Sequence, residues 1–165
     1  MRVEARAVFD CEPQTYFEQL FDPETRKRRE MEGRKAKSYR IVESNTDSET
    51  WHQIAESVEH LDAPRAVRKV LGETTTIREE VTWKKGAYRA EVSYRPDKLA
   101  DRTKVAGTLE AEPEGSGSCR VTLAVEVKIK VFGVGGMIEK MSAGKLREDF
   151  QKDADFFNRE IAPNL

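Results

Sequence analysis

From Cys119 to Val131 every second residue is apolar: Val121, Leu123, Val125, Val127, Ile129 and Val131 are interleaved with residues that include Thr122, Glu126, Lys128 and Lys130. A strand sends successive side chains to opposite faces, so this run has one buried and one wet face and belongs in an antiparallel sheet. Its neighbours repeat the pattern. Residues 103–112, carrying Val105, Leu109 and Ala111, pair with it across a polar tip at 113–118. Residues 74–84 align Ile77, Val81 and Trp83, and after a turn at Gly86 residues 87–95 align Tyr88, Ala90, Val92 and Tyr94. Residues 37–46 and 50–59 read as two strands around a turn at 46–48, and residues 2–9 place Val3, Ala5, Ala7 and Phe9 on one side.

Seven one-faced strands need a cover, and helical periodicity is confined to few places. Pro13 suits the first turn of a helix because its missing N–H has no partner there, and Tyr16, Phe17, Leu20 and Phe21 form its apolar face. Residues 24–36 are charged and predict a second short helix ending near Gly33, and residues 64–71 predict a turn or two stopped at Gly72. From Gly136 to Ile161 alternation is lost. At 100° per residue, Ala143, Leu146, Phe150, Ala154, Phe157 and Ile161 fall within about 80° of one another, which makes a long amphipathic helix. Met137, Ile138 and Met141 are out of phase with that stripe, and a bend or a change of partner is expected near Gly144. The expectation is an α+β domain over residues 1–165, with one curved sheet, one covering helix and room for a cavity between them.

Composition narrows the classes. The 165 residues are 38% hydrophobic and 36% charged with net charge −1, which argues against nucleic-acid binding. No apolar run approaches the roughly 20 residues of a membrane span, and the amino-terminal residues lack a signal-peptide core. Cys11 and Cys119 form no metal or redox motif, so reduced, buried thiols in a cytoplasmic protein are expected.

The run LDAPRAVRKVLG at 61–72, the run EEVTW at 79–83 and the run VGGMIE at 134–139 resemble the bacterial family called domain of unknown function 2505. The order of elements resembles the helix-grip fold of the START-like, or SRPBCC, superfamily, in which a seven-stranded antiparallel sheet wraps a long C-terminal helix. The chain departs from the family's pattern at Phe132-Gly133, where a Pro-Leu pair is expected. The resemblance implies a cavity for an apolar or amphipathic ligand and no defined reaction, since fold does not carry function with it.

The candidate chemistry is sparse. The glycines at 133, 135 and 136 lack the βαβ setting of a phosphate cradle, so they predict a tight turn, with an anionic head group at the helix start as the alternative. His52 and His60, if on one straight strand, lie roughly 26 Å apart and share no metal; neither a metal nor a cofactor is expected. Strict alternation puts Glu79 on the inner side with Ile77, Val81 and Trp83. A carboxylate there is either returned to water by a bulge or held as a polar anchor or acid–base group, the one weak catalytic candidate.

Charge is segregated: residues 26–40 hold eight Lys or Arg against Glu30 and Glu32, and residues 41–62 hold six acids and no Lys or Arg. The blocks read as adjacent solvated faces, or as a basic patch of Arg26, Lys27, Arg28, Arg29, Arg34, Lys35 and Lys37 facing an anionic membrane. Met31, Met137 and Met141 suit either an adaptable pocket or ordinary core.

The leading expectation is a soluble, non-catalytic binder or carrier of a lipid-like or aromatic small molecule, lined by Phe17, Ile77, Glu79, Trp83, Tyr88, Val92, Met141 and Phe150. Two others stand beside it: a cyclase, aromatase or hydrolase working in the same cavity, and an interaction module with a packed interior and a charged surface.

Overall fold

A computed structural model describes residues 1–165. Strand β1 (Arg2–Phe9) leads into α1 (Pro13–Phe21) and α2 (Pro23–Arg28), and the chain continues through a π-helical turn, Arg29–Gly33. The meander follows as β2 (Ser38–Asn45), β3 (Thr50–His60), α3 (Arg65–Leu71), β4 (Thr74–Lys84), β5 (Arg89–Pro96), β6 (Thr103–Pro113) and β7 (Cys119–Ile129). Helix α4 (Gly135–Phe156) closes it, extended by a second π turn at Phe157–Ile161.

The seven strands form one antiparallel sheet in the order β1-β7-β6-β5-β4-β3-β2. Sequence neighbours pair throughout, except that β1 returns to the far edge beside β7, with Val3 opposite Val125. The backbones of β6 and β7 come very close at Gly107, where a Cβ would lie 1.9 Å from the carbonyl oxygen of Ala124. Only glycine fits such an approach. Helix α4 lies across β1 and β7 on the concave face. This is the α+β arrangement expected from the periodicity, and it is the helix-grip fold that the resemblance implies.

The differences are local. Alternation places Tyr88 in line with Ala90 and Val92, but β5 begins one residue later, and the turn at Gly86 (φ +92°) leaves Tyr88 56% exposed at the hairpin tip. Helix α4 runs through Gly144 without interruption. Ile138, off the predicted stripe, is buried with Ala143, Phe150 and Ala154. Between β7 and α4 the chain reverses at Gly133 (φ +82°), and Phe132 stands fully exposed there. No helix is long and apolar enough to cross a membrane.

The filled part of the interior is aromatic. Phe17 stacks on Trp83 at 5.4 Å, Trp51 meets Trp83 edge-on at 5.2 Å, and Phe9 makes edge contacts with Tyr16, Phe150 and Phe157 at 4.7, 5.9 and 5.5 Å. The Trp83 indole N–H donates to the Ala87 carbonyl at 2.9 Å, so the buried ring leaves no polar atom unmet.

Candidate functional site

Beyond that block the concave face is not filled. A cavity of about 560 Å³ lies between the sheet and α4. Ile77 and Val81 on β4, Val92 on β5, Val105 and Leu109 on β6 and Leu123 on β7 make its floor, and Ile138, Met141, Leu146 and Phe150 of α4 make its roof. Along one flank of α4 the exposed residues Lys140, Gly144, Glu148 and Lys152, spaced four apart, bring the cavity to the solvent.

Of the residues expected to line it, Ile77, Glu79, Val92, Met141 and Phe150 do so. Phe17 and Trp83 do not: each is 0% exposed, and stacking on one another commits them to the aromatic block. Tyr88 is also outside, on the hairpin tip.

The remaining wall is ionic. Glu79 stays inside, with no bulge in β4, because Arg26 of α2 reaches across the cavity end and donates from Nη2 to its Oε1. The Arg26 Nε also donates to the Tyr39 hydroxyl at 3.3 Å. Arg29 lies 3.3 Å from Glu30, 3.7 Å from Asp153 and 4.0 Å from Glu79, and its Nε is buried without a hydrogen bond. Arg34 forms a two-pronged pair with Asp153 of α4 and lies 3.4 Å from Glu30. A second group continues along α4, where Lys145 sits 2.7 Å from Asp149 and 3.4 Å from Glu59.

Burial by itself pushes the Glu79 carboxyl upward, but the guanidiniums of Arg26, Arg29 and Arg34 outweigh it and hold the group at about 2. Arg26 shows the reciprocal balance, with burial opposing its charge and Glu79 restoring it. Glu59 goes the other way: burial raises it, and Lys145 and Arg34 only partly compensate. The Tyr16 and Tyr94 hydroxyls line the same space and are pushed up by burial, so both remain protonated donors. Tyr94 stands opposite Glu79 across the β4–β5 pairing.

This network revises the basic patch. Arg26 is 2% exposed and the Arg29 and Arg34 side chains are 12% and 15% exposed, so three of the seven expected surface cations are members of the ion-pair wall. Lys27, Lys35 and Lys37 remain exposed, with Arg28 half-buried beside Glu32. Helical spacing carried the signal, since Arg26, Arg29, Glu30 and Arg34 recur at i, i+3, i+4 and i+8 and so share a face. Asp149 and Asp153 were equally foreshadowed, as they adjoin Phe150 and Ala154 on the apolar stripe of α4.

The other candidates are structural. His52 faces outward and meets Glu80 at 2.6 Å, while His60 at the far end of β3 lines the cavity rim. No group of three His, Cys, Asp or Glu side chains is placed to hold a metal ion. Cys11 and Cys119 are free and buried.

Several solved structures share this architecture at low identity. The aromatase/cyclase Zhui from Streptomyces sp. R1128 superposes with a TM-score of 0.68 at 13% identity, covering 99% of this chain and 93% of that one. A protein from Thermus thermophilus gives 0.67 at 16% identity, with 96% and 94% covered. A START superfamily protein from Mycobacterium smegmatis gives 0.60 at 12% identity, with 93% and 97% covered. At such identities the likeness establishes the START-like fold alone. No curated protein matches the chain in sequence. Residues 4–161 match the profile of a family described as a protein of unknown function, DUF2505, and the chain belongs to that family.

Proposed function

We propose that the protein binds or carries a hydrophobic or amphipathic small molecule in the cavity between the sheet and α4. The observation behind this reading is the cavity itself: about 560 Å³ with an apolar floor and roof, a polar wall at one end and a solvent-facing flank. Ligand pockets generally have this size and this mixture, with apolar burial supplying affinity and a few polar groups setting orientation. A protein whose interior served packing alone would not leave such a volume beside a fully stacked aromatic block.

Binding is preferred here because Glu79, the one acid–base candidate, is committed to Arg26 in the cavity wall. A carboxylate held at about 2 has no proton to give at neutral pH and takes one poorly, whereas acid–base residues are tuned toward the working pH.

The test is native mass spectrometry of the purified protein, followed by solvent extraction of whatever travels with it. A stoichiometric apolar adduct, or uptake of one from a lipid extract, is the expected result. A bare chain that takes up nothing from the extract refutes the proposal.

A further inference from the structure

The charge balance of the cavity wall narrows the ligand class. Three guanidiniums, those of Arg26, Arg29 and Arg34, face three carboxylates, those of Glu79, Glu30 and Asp153, and every member lies within 4.0 Å of an opposite charge. Lys145 is likewise taken, by Asp149 and Glu59. Each buried cation of the wall has a carboxylate neighbour; Lys140, on the exposed flank, is the one lining Lys or Arg without an ion pair, and Arg29 keeps a single Nε without a hydrogen bond. A carboxylate or phosphate seated at the inner end would compete with Glu79 for Arg26 and strand it. A buried charge that loses its partner is strongly disfavoured. An incoming cation meets the same obstacle with the signs reversed. Of the other lining carboxylates, Asp62 is exposed to solvent, and Glu59, which shares Lys145 with Asp149, is pushed by burial toward its neutral form.

Uncharged donors do face the space. Tyr16 is 4% exposed and lines the cavity, and its hydroxyl makes no hydrogen bond to the protein, in contrast to the Tyr39 hydroxyl that Arg26 occupies. Tyr94 lines the cavity beside Glu79 and is equally without a partner. Neither hydroxyl is sealed away from the cavity, so each is free to donate to an acceptor that a guest brings in. Resting on the binding reading above, we propose that the ligand's polar end is an uncharged oxygen, an alcohol, phenol or ketone, and that the self-neutralised wall discriminates against carboxylates and phosphates.

Displacement of the uncharged dye Nile red by three ten-carbon probes, 1-decanol, decanoate and decylammonium, tests this at pH 7.5. Decanol is expected to displace the dye at a concentration at least tenfold below either charged probe. Because a neutral probe also partitions better on its own, the deciding readout is the change of the decanol-to-decanoate ratio in Glu79→Gln, which frees Arg26. That ratio is expected to fall at least fivefold. Tyr94→Phe, which leaves the ion pairs in place, is expected to weaken decanol at least threefold and leave decanoate unchanged, and it carries the test if Glu79→Gln does not fold. A chain that binds neither Nile red nor decanol refutes the binding reading and this inference with it. A chain that binds the dye yet yields it as readily to decanoate or decylammonium, or whose ratio does not respond to either variant, refutes the inference alone.

Discussion

Strand β4 points five residues into the interior, Trp83, Val81, Glu79, Ile77 and Thr75, and the stretches around Trp83 and around Glu79 meet opposite treatment. At Trp83 the cover is α1, whose Phe17 stacks on the indole and whose Phe21 lies 6.3 Å from it. At Glu79 the cover is α2 and the π turn after it, which contribute arginines in place of rings. Aromatic rings close-pack and leave no gap, whereas guanidiniums must stay near their counter-charges and so stand off from the apolar floor. Whether this sheet encloses solid core or empty volume is decided by the element laid over it, since the strand pattern beneath is the same at both ends.

The sharpest way to break that contrast is to empty the filled end. Trp83→Ala removes the largest fully buried side chain and the bond to Ala87, and is expected to cost about 4 kcal/mol. Ile77→Ala, on the same face but bordering the cavity, is expected to cost less than half of that, because its side chain already adjoins free space. Urea midpoints of the two variants measure the difference. Equal losses would mean that the cavity end is packed as tightly as the aromatic end.

The ionic end responds to charge balance instead of volume. Arg26→Met leaves Glu79 facing Arg29 alone at 4.0 Å and is expected to destabilise by about 3 kcal/mol. The double change Arg26→Met with Glu79→Leu is expected to recover most of the loss, since two apolar side chains need no mutual pairing. If the double variant is as unstable as the single one, the pair is a packing element and the comparison with Trp83 collapses.

The two ends are not equally legible from the residues. The aromatic end follows from periodicity: Phe17 and Trp83 stand on the inner faces of α1 and β4, and the interior position of Glu79 comes from the same alternation. What alternation does not encode is who stands opposite, so periodicity offers Phe17 and Trp83 to the ligand when they spend their surface on each other. The arginines read as a solvated block because charged runs usually are. Three carboxylates from Glu30, Glu79 and Asp153, separated by up to 123 positions, are what turn them inward. Tyr88 fails for a local reason: its carbonyl still accepts from the Ala111 N–H, but it lies two residues past the turn at Gly86, where its side chain stays 56% exposed.

Acid exposes a smaller contrast within the ionic wall. The Arg26, Arg29 and Arg34 guanidiniums hold Glu79 at about 2 in the folded chain against an ordinary value of 4.5, so its stabilisation, on the order of 3 kcal/mol, is present above pH 4.5 and lost as pH falls toward 2. Glu59 is shifted upward, so its contribution is present below 4.5 and is lost as pH rises through its folded-state value. Glu79→Gln is therefore expected to flatten the acid limb of the stability profile, and Glu59→Gln to raise stability at pH 7 but not at pH 4. Denaturation midpoints from pH 2 to 7 check both, and parallel profiles would contradict the opposed assignments.

The smallest expected effect concerns the flank of α4. Gly144 sits in mid-helix, exposed, in line with Lys140, Glu148 and Lys152, and a Cβ built on it meets nothing within 4 Å. Glycine there costs helix stability without any packing reason, so Gly144→Ala is expected to stabilise the fold by about 0.5–1 kcal/mol. A side chain at 144 would project beside the flank where the cavity reaches solvent. Gly144→Phe is accordingly expected to slow Nile red uptake several-fold in stopped-flow mixing while leaving the amount bound at equilibrium unchanged. Uptake as fast as in the unaltered chain would move the mouth away from this flank, and would leave the glycine as a helix-weakening residue with no bearing on the cavity.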